Sequence, residues 1–166
     1  MAQDLFDLDT GAWFSPCREY RYALWRVWDA SKPVCLFVML NPSTAAETED
    51  DPTIKRCQVR AVNMGFGGLW VVNLFAYRST DRKVLRFVAD PVGAQNDEMI
   101  MKVAKKVSTA ICGWGTDGRL RGRDAQVVKL LRMSGVQPQA LKVNEDGSPG
   151  HPLYLPYALE PVEFVI

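Results

Sequence analysis

The sequence predicts an α/β fold, a three-layer sandwich around a mostly parallel central sheet. Three observations point there. Val34–Leu40 (VCLFVML), Leu69–Phe75 (LWVVNLF) and Thr109–Trp114 (TAICGW) are short β-rich apolar runs, the composition of strands covered on both faces. Amphipathic helical segments separate them, as right-handed βαβ crossovers require. The polar exceptions Asn41, Asn73 and the Gly113–Gly118 turn fall at or just after strand ends, where open α/β sheets bind ligands.

The elements follow in chain order. With 166 residues, 48% apolar and 23% charged, the chain reads as one globular domain, residues 1–166. Residues 1–17, punctuated by Gly11 and Pro16, read as an irregular N-terminal segment. Tyr20 to Trp28 alternates apolar with polar side chains, the period of a half-exposed strand. It is expected to pair with the 34–40 strand in a hairpin or to meet it at a sheet edge. Asn41-Pro42 ends that strand, and an acidic loop with Glu47, Glu49, Asp50 and Asp51 follows.

Asp51-Pro52 reads as an N-cap with proline in the first helical turn. Ile54, Cys57, Gln58, Ala61, Val62 and Met64 carry that helix to the Gly65 stop. A loop spans residues 76–95, and Asn96 reads as the cap of a helix reaching about Val107. A helix is expected from Arg123 to Met133, a short strand at Ala140–Val143, and a proline-pinned extended segment at Gly150–Pro156.

Several function classes drop out. Twenty basic and nineteen acidic residues give a net charge of +1, which neither demands nor excludes a polyanionic partner. No apolar run approaches the roughly 18 residues that span a bilayer, and MAQDLFDLD lacks a signal-peptide layout. A cytoplasmic protein with no membrane partner is expected. Cys17, Cys35, Cys57 and Cys112 form no CxxC pair, so packing rather than a metal or iron–sulfur cluster is their expected role, and no cofactor is implied. The groups Lys102, Lys105, Lys106 and Arg119, Arg121, Arg123 read as solvated helix faces that could also meet phosphates.

Two positions carry chemistry, one in a buried strand and one in the closing loop. Asn73 places an amide inside VVNLF, and leaving it unpaired would cost about 1–3 kcal/mol, so it needs a backbone or ligand partner. His151 is the only histidine, held between Gly150 and Pro152 after the last strand. Neutral near pH 7, it suits hydrogen-bond or proton chemistry.

The set NPSTA, DPTIKR, VVNLFAYRSTD, DPVG-x-x-ND, the WG strand end and the closing HPLYLP, across about residues 17–157, resembles the bacterial and phage family called domain of unknown function 1643. The order and placement of these motifs also resemble the uracil-DNA glycosylase superfamily. There the first strand ends in Asn-Pro or Asp-Pro, matched by Asn41-Pro42, and a base-reading Asn ends the second, matched by Asn73. A Trp-Gly or Leu-Gly step often ends a later strand, matched by Trp114-Gly115, and His-Pro-Ser-Pro comes last, matched only as His151-Pro152, which Leu153-Tyr154-Leu155 follow.

That resemblance implies a uracil-DNA-glycosylase-like fold and a DNA base-excision N-glycosylase acting on a flipped uracil-like or modified pyrimidine. Asn41 would orient the attacking water, Asn73 would pair with the base and His151 would stabilise the departing base. Pro42, Ser43, Trp114, Gly115, Pro152 and Leu153 would contact the substrate, and DNA would be the partner. The catalytic Asp-Pro-Tyr-His of the uracil-specific branch is absent, and Ser43 stands where that branch has a Tyr that excludes a 5-methyl group. A non-catalytic nucleotide- or nucleic-acid-binding module on the same fold, or a hydrolase of free nucleosides or nucleotides, are the rival readings.

Overall fold

In the computed structural model, which describes residues 9–166, seven strands form one sheet in the order β1-β2-β4-β3-β5-β6-β7. They are β1 (Thr10–Phe14), β2 (Arg21–Val27), β3 (Val34–Met39), β4 (Gly68–Asn73), β5 (Ala110–Cys112), β6 (Pro138–Ala140) and β7 (Val162–Glu163). Three helices, α1 (Pro52–Asn63), α2 (Asn96–Ala104) and α3 (Arg123–Met133), pack on it. The apolar runs do become the adjacent parallel centre, β4-β3-β5.

The sheet is mixed rather than mostly parallel. β3 with β4, β3 with β5 and β5 with β6 run parallel, whereas β1 with β2, β2 with β4 and β6 with β7 run antiparallel. β2 pairs not with β3 but with β1 and β4, and six of its seven residues are buried. Its polar positions misled the half-exposed reading because Arg21 and Arg26 are themselves buried, at 2% and 6% exposure. The covering strand β1 lies within the segment expected to be irregular; residues 1–8 of that segment lie outside the described residues.

Strand alternation splits the core into two layers. Cys35, Phe37 and Met39 of β3 point to α1, joining Ile54, Cys57 and Ala61. Leu36 and Val38 point the other way, joining Met99, Ile100 and Val103 of α2 and Val127 and Leu131 of α3. The β-rich runs are apolar on both faces, Asn73 at the end of β4 excepted, because both faces are covered. Burial pushes the Cys35 thiol up to about 12 and raises Cys57 and Cys112 as well, so all three stay protonated packing groups.

The helix boundaries are chemical. The Asp51 carboxylate accepts from the Ile54 N–H at 2.9 Å, with Pro52 in the first turn. Val62, one of the residues that carry the helix, is 55% exposed, whereas Arg60 on the same helix is buried. Asn96 is the first residue of α2 and does not cap it; its amide leaves the helix to serve β4. The last expected strand forms at Pro138–Ala140 rather than Ala140–Val143, and the extended 150–156 segment holds a 3-10 turn at Pro152–Tyr154.

Candidate functional site

β3 is the strand at which the winding reverses, since the chain passes first to β4 on one side and later to β5 on the other. The carboxyl ends of these three strands open into a cavity of about 500 Å³ on the α1 side, within the range of small-ligand sites. Leu40–Ser43 after β3, Asn73 at the end of β4 and Trp114-Gly115 after β5 line it. Asp51, Thr53 and Ile54 at the start of α1 and the 79–83 loop add further walls. His151 and Tyr154 close it.

Seven residues predicted for the site thus meet in one cavity: Asn41, Pro42, Ser43, Asn73, Trp114, Gly115 and His151. Pro152 and Leu153 do not line it. Pro152 is buried behind the wall, against Gly113, where a Cβ would fall 2.7 Å from its ring. Leu153 serves through its backbone, donating its N–H to His151 Nδ1 at 3.2 Å.

That bond sets the histidine's tautomer. With Nδ1 accepting, the neutral ring carries its proton on Nε2. Burial holds His151 below its ordinary 6.5, with Arg82 acting in the same direction and Asp51 opposing, so the ring is neutral at pH 7. Its loop is clamped by α1. The buried Arg60 donates to the carbonyls of Pro152 (3.0 Å), Leu155 and Pro156 (3.0 Å), and Arg56 also donates to Leu155. Gly115, at φ 71°, turns the chain after β5 and donates its N–H to Pro149, tying that turn to the closing loop.

Asn41 and Asn73 differ in what they have left to offer. Asn41 Nδ2 donates to the carbonyls of Pro42 (3.2 Å) and Ser79 (2.9 Å), so its oxygen is the remaining hydrogen-bonding group. Together with the bond from Ser79 N–H to Pro42 O at 2.9 Å, it staples the two loops that frame the cavity. Asn73 is 1% exposed and its Nδ2 has no acceptor. A buried amide in this state is waiting for one.

Sequence reasoning missed Arg21, Asp51, Ser79, Arg82 and Lys83, all of which line the cavity. Asp51 was read only as a helix cap, yet the same carboxylate faces the site. Arg21 lies in the segment read as a half-exposed strand. The rest of the acidic loop is spent structurally, Glu47 on Arg18 (2.8 Å) and Asp50 on Arg26 (3.0 Å). The arginine cluster is spent too. Arg119 pairs with Asp146, Arg121 reaches the carbonyls of Val88 and Ala89, and Arg123 lies in the core. Among the described residues, no group of three or more His, Cys, Asp or Glu side chains is placed to hold a metal, and no helix is long and apolar enough to cross a membrane.

The chain matches the family described as protein of unknown function DUF1643 over residues 21–153. It belongs to that family. The matched span holds β2 through the cavity and ends just after His151, so Arg21 is its first residue. No curated protein and no solved structure matches the chain.

Proposed function

We propose that this member of the DUF1643 family is an N-glycosylase that hydrolyses the bond between a flipped pyrimidine-like base and its sugar in DNA. The observation that carries the reading is the buried Asn73 amide with no acceptor for Nδ2, in one cavity with Asn41, Asp51 and His151. A base carbonyl oxygen is the acceptor this donor lacks. A cavity of about 500 Å³ accommodates a nucleoside-sized group.

In the hydrolysis, a water oxygen bonds to the sugar's anomeric carbon as the carbon–nitrogen bond to the base breaks. The bonding pair leaves with the base, and the water's proton passes to a carboxylate. Asn41 alone is no base, but its oxygen can hold the water in line. Asp51 supplies the carboxylate, one of whose oxygens is occupied by the Ile54 N–H. It also balances positive charge growing on the sugar.

The neutral His151, with its proton on Nε2, can donate to the base oxygen on which negative charge collects, a contribution of about 3–4 kcal/mol in comparable sites. Flipping a base out of a duplex costs a few kcal/mol, least for a damaged or mismatched one. Lys83 on the cavity wall, and Arg82 beside it through the nitrogens left by its pair with Asp117 (2.8 Å), suit the flanking phosphates, which position the strand without reading sequence.

The test is abasic-site formation on labelled oligonucleotides carrying uracil, thymine or other modified bases, beside the corresponding free nucleosides. Cleavage of an oligonucleotide is the expected result, and His151→Ala should slow it on the order of 10²–10³-fold for every base alike. Release of base from free nucleosides alone would move the assignment to a nucleoside hydrolase. No release from either would leave a binding module.

A further inference from the structure

Arg21 plays no part in the chemistry above, yet its surroundings are unusual among the buried arginines. Arg26 meets Asp50 at 3.0 Å and Arg123 meets Asp97. Arg60 has no carboxylate but donates to three backbone carbonyls. Arg21 is 2% exposed and makes one side-chain hydrogen bond, to Ala45 O at 3.0 Å; its Nε, like that of Arg60, has no partner. No ion pair joins it to a carboxylate among the described residues. A guanidinium buried without a counter-charge is unfavourable. Burial lowers Arg21 to about 10, and Arg78 and Arg26 push the same way against Asp51. It remains a cation at neutral pH.

The orphaned cation faces the cavity. It opens β2, whose antiparallel register pairs Leu24 with Val71, and this brings Arg21 alongside the end of β4. Asn73 lies there, its Nδ2 also without an acceptor. Two donors on neighbouring strands, both buried and one charged, form a wall complementary to negative oxygen.

We propose that this wall is an anion subsite, in which Arg21 and Asn73 together receive an anionic oxygen of the ligand. Two sources share that chemistry: a phosphate oxygen of a nucleotide, or a carbonyl oxygen of a pyrimidine ring that carries negative charge. Asp51 on the same cavity repels a dianion more than a single ring charge, which favours the ring. In that case Arg21 stabilises the departing base from the side opposite the sugar. The subsite does not depend on glycosidic cleavage, because a nucleotide-binding protein would use it equally.

Calorimetry with two matched pairs tests it: uridine monophosphate against uridine, and 5-fluorouracil against uracil, whose ring is nearly the same size but less acidic. At least one anionic or more acidic member should bind tenfold or more tightly than its counterpart. Preference within the first pair assigns the phosphate, and preference within the second assigns the ring. Arg21→Met should erase the preference, weakening the anionic or more acidic member more than its counterpart, with folding checked by circular dichroism. Should the Met variant not fold, Arg21→Gln, which retains an amide donor for Ala45 O, should erase it likewise. No preference in either pair, or a preference that survives loss of the guanidinium, overturns the subsite. A preference without any base release in the oligonucleotide assay would overturn the glycosylase reading alone.

Discussion

The end of β4 is held from one side of the sheet and left open on the other. On the α2–α3 side, Asn96 Nδ2 donates to the carbonyls of Asn73 (2.9 Å) and Leu74 (3.1 Å). Arg123 adds a bond from Nε to Leu74 O at 2.8 Å and spends its other nitrogens on Asp97 and Gln126. These polar groups are buried because the backbone leaving a sheet needs partners. On the α1 side of the same strand, Asn73 Nδ2 and Arg21 Nε have none and line a cavity. The difference separates two uses of a buried polar residue. Where the donors are saturated, the side chain is a structural strut. Where they are not and the residue also lines the cavity, the fold tolerates an unfavourable group that the proposed ligand would complete.

Substitutions at the two sides should therefore behave differently, and the largest effect belongs to the open side. Asp51→Asn should lower base release on the order of 10²–10⁴-fold. Thermal stability should barely change, because Asn caps a helix as well as Asp. A single-turnover rate and a melting curve read both, and a large drop in melting temperature with an unchanged rate would make Asp51 a strut after all.

Arg123→Met and Asn73→Leu sharpen the contrast. The first takes from Leu74 O one of its two donors and from Asp97 its partner, and should cost about 2 kcal/mol in urea unfolding. The second removes a donor that has no acceptor, so stability should hold or rise by up to about 1 kcal/mol, while affinity for the base is lost. Equal destabilisation by the two would break the distinction.

Ser43→Tyr should narrow the substrate range. Ser43 lines the cavity and is half-buried, and a large ring there should disfavour 5-substituted pyrimidines relative to uracil by about 1–3 kcal/mol. Paired cleavage rates on uracil and thymine oligonucleotides check it, and a wild-type enzyme already selective for uracil would show that another residue closes the wall.

The smallest effect concerns pH. Because burial holds His151 below 6.5 in the folded chain, the fold binds this proton less readily than the unfolded chain does. Its contribution to stability is whole above pH 6.5 and is lost as pH falls through the lower folded value. Denaturant titrations between pH 7.5 and about 5 should show that His151→Gln flattens this part of the decline.

Much of this was legible in the residues. The buried centre β4-β3-β5 follows from the two-sided apolar runs, and the start of α1 follows from Asp51-Pro52. The meeting of Asn41, Asn73, Trp114 and His151 follows from their places at strand ends. The antiparallel flank did not follow. In β2, alternation of polar and apolar residues normally marks a wet face, but here Arg21 and Arg26 reach loop carbonyls from inside the protein. Polarity at the level of one residue does not reveal a partner twenty or more positions away.

The sequence by itself determined the local matters: which runs are strands covered on both faces, where α1 begins, and which side chains stand where strands end. These depend on alternation, on caps and on apolar content, all properties of neighbouring residues. Only the tertiary structure decided which of the buried polar groups are satisfied. Arg123 Nε and Asn96 Nδ2 find carbonyls of distant segments, while Arg21 and Asn73, which line the cavity, each keep a donor without a partner. A hydrogen-bond partner is a position in space rather than in the chain, so the open donors of the site came into view only once β2 was laid against β4.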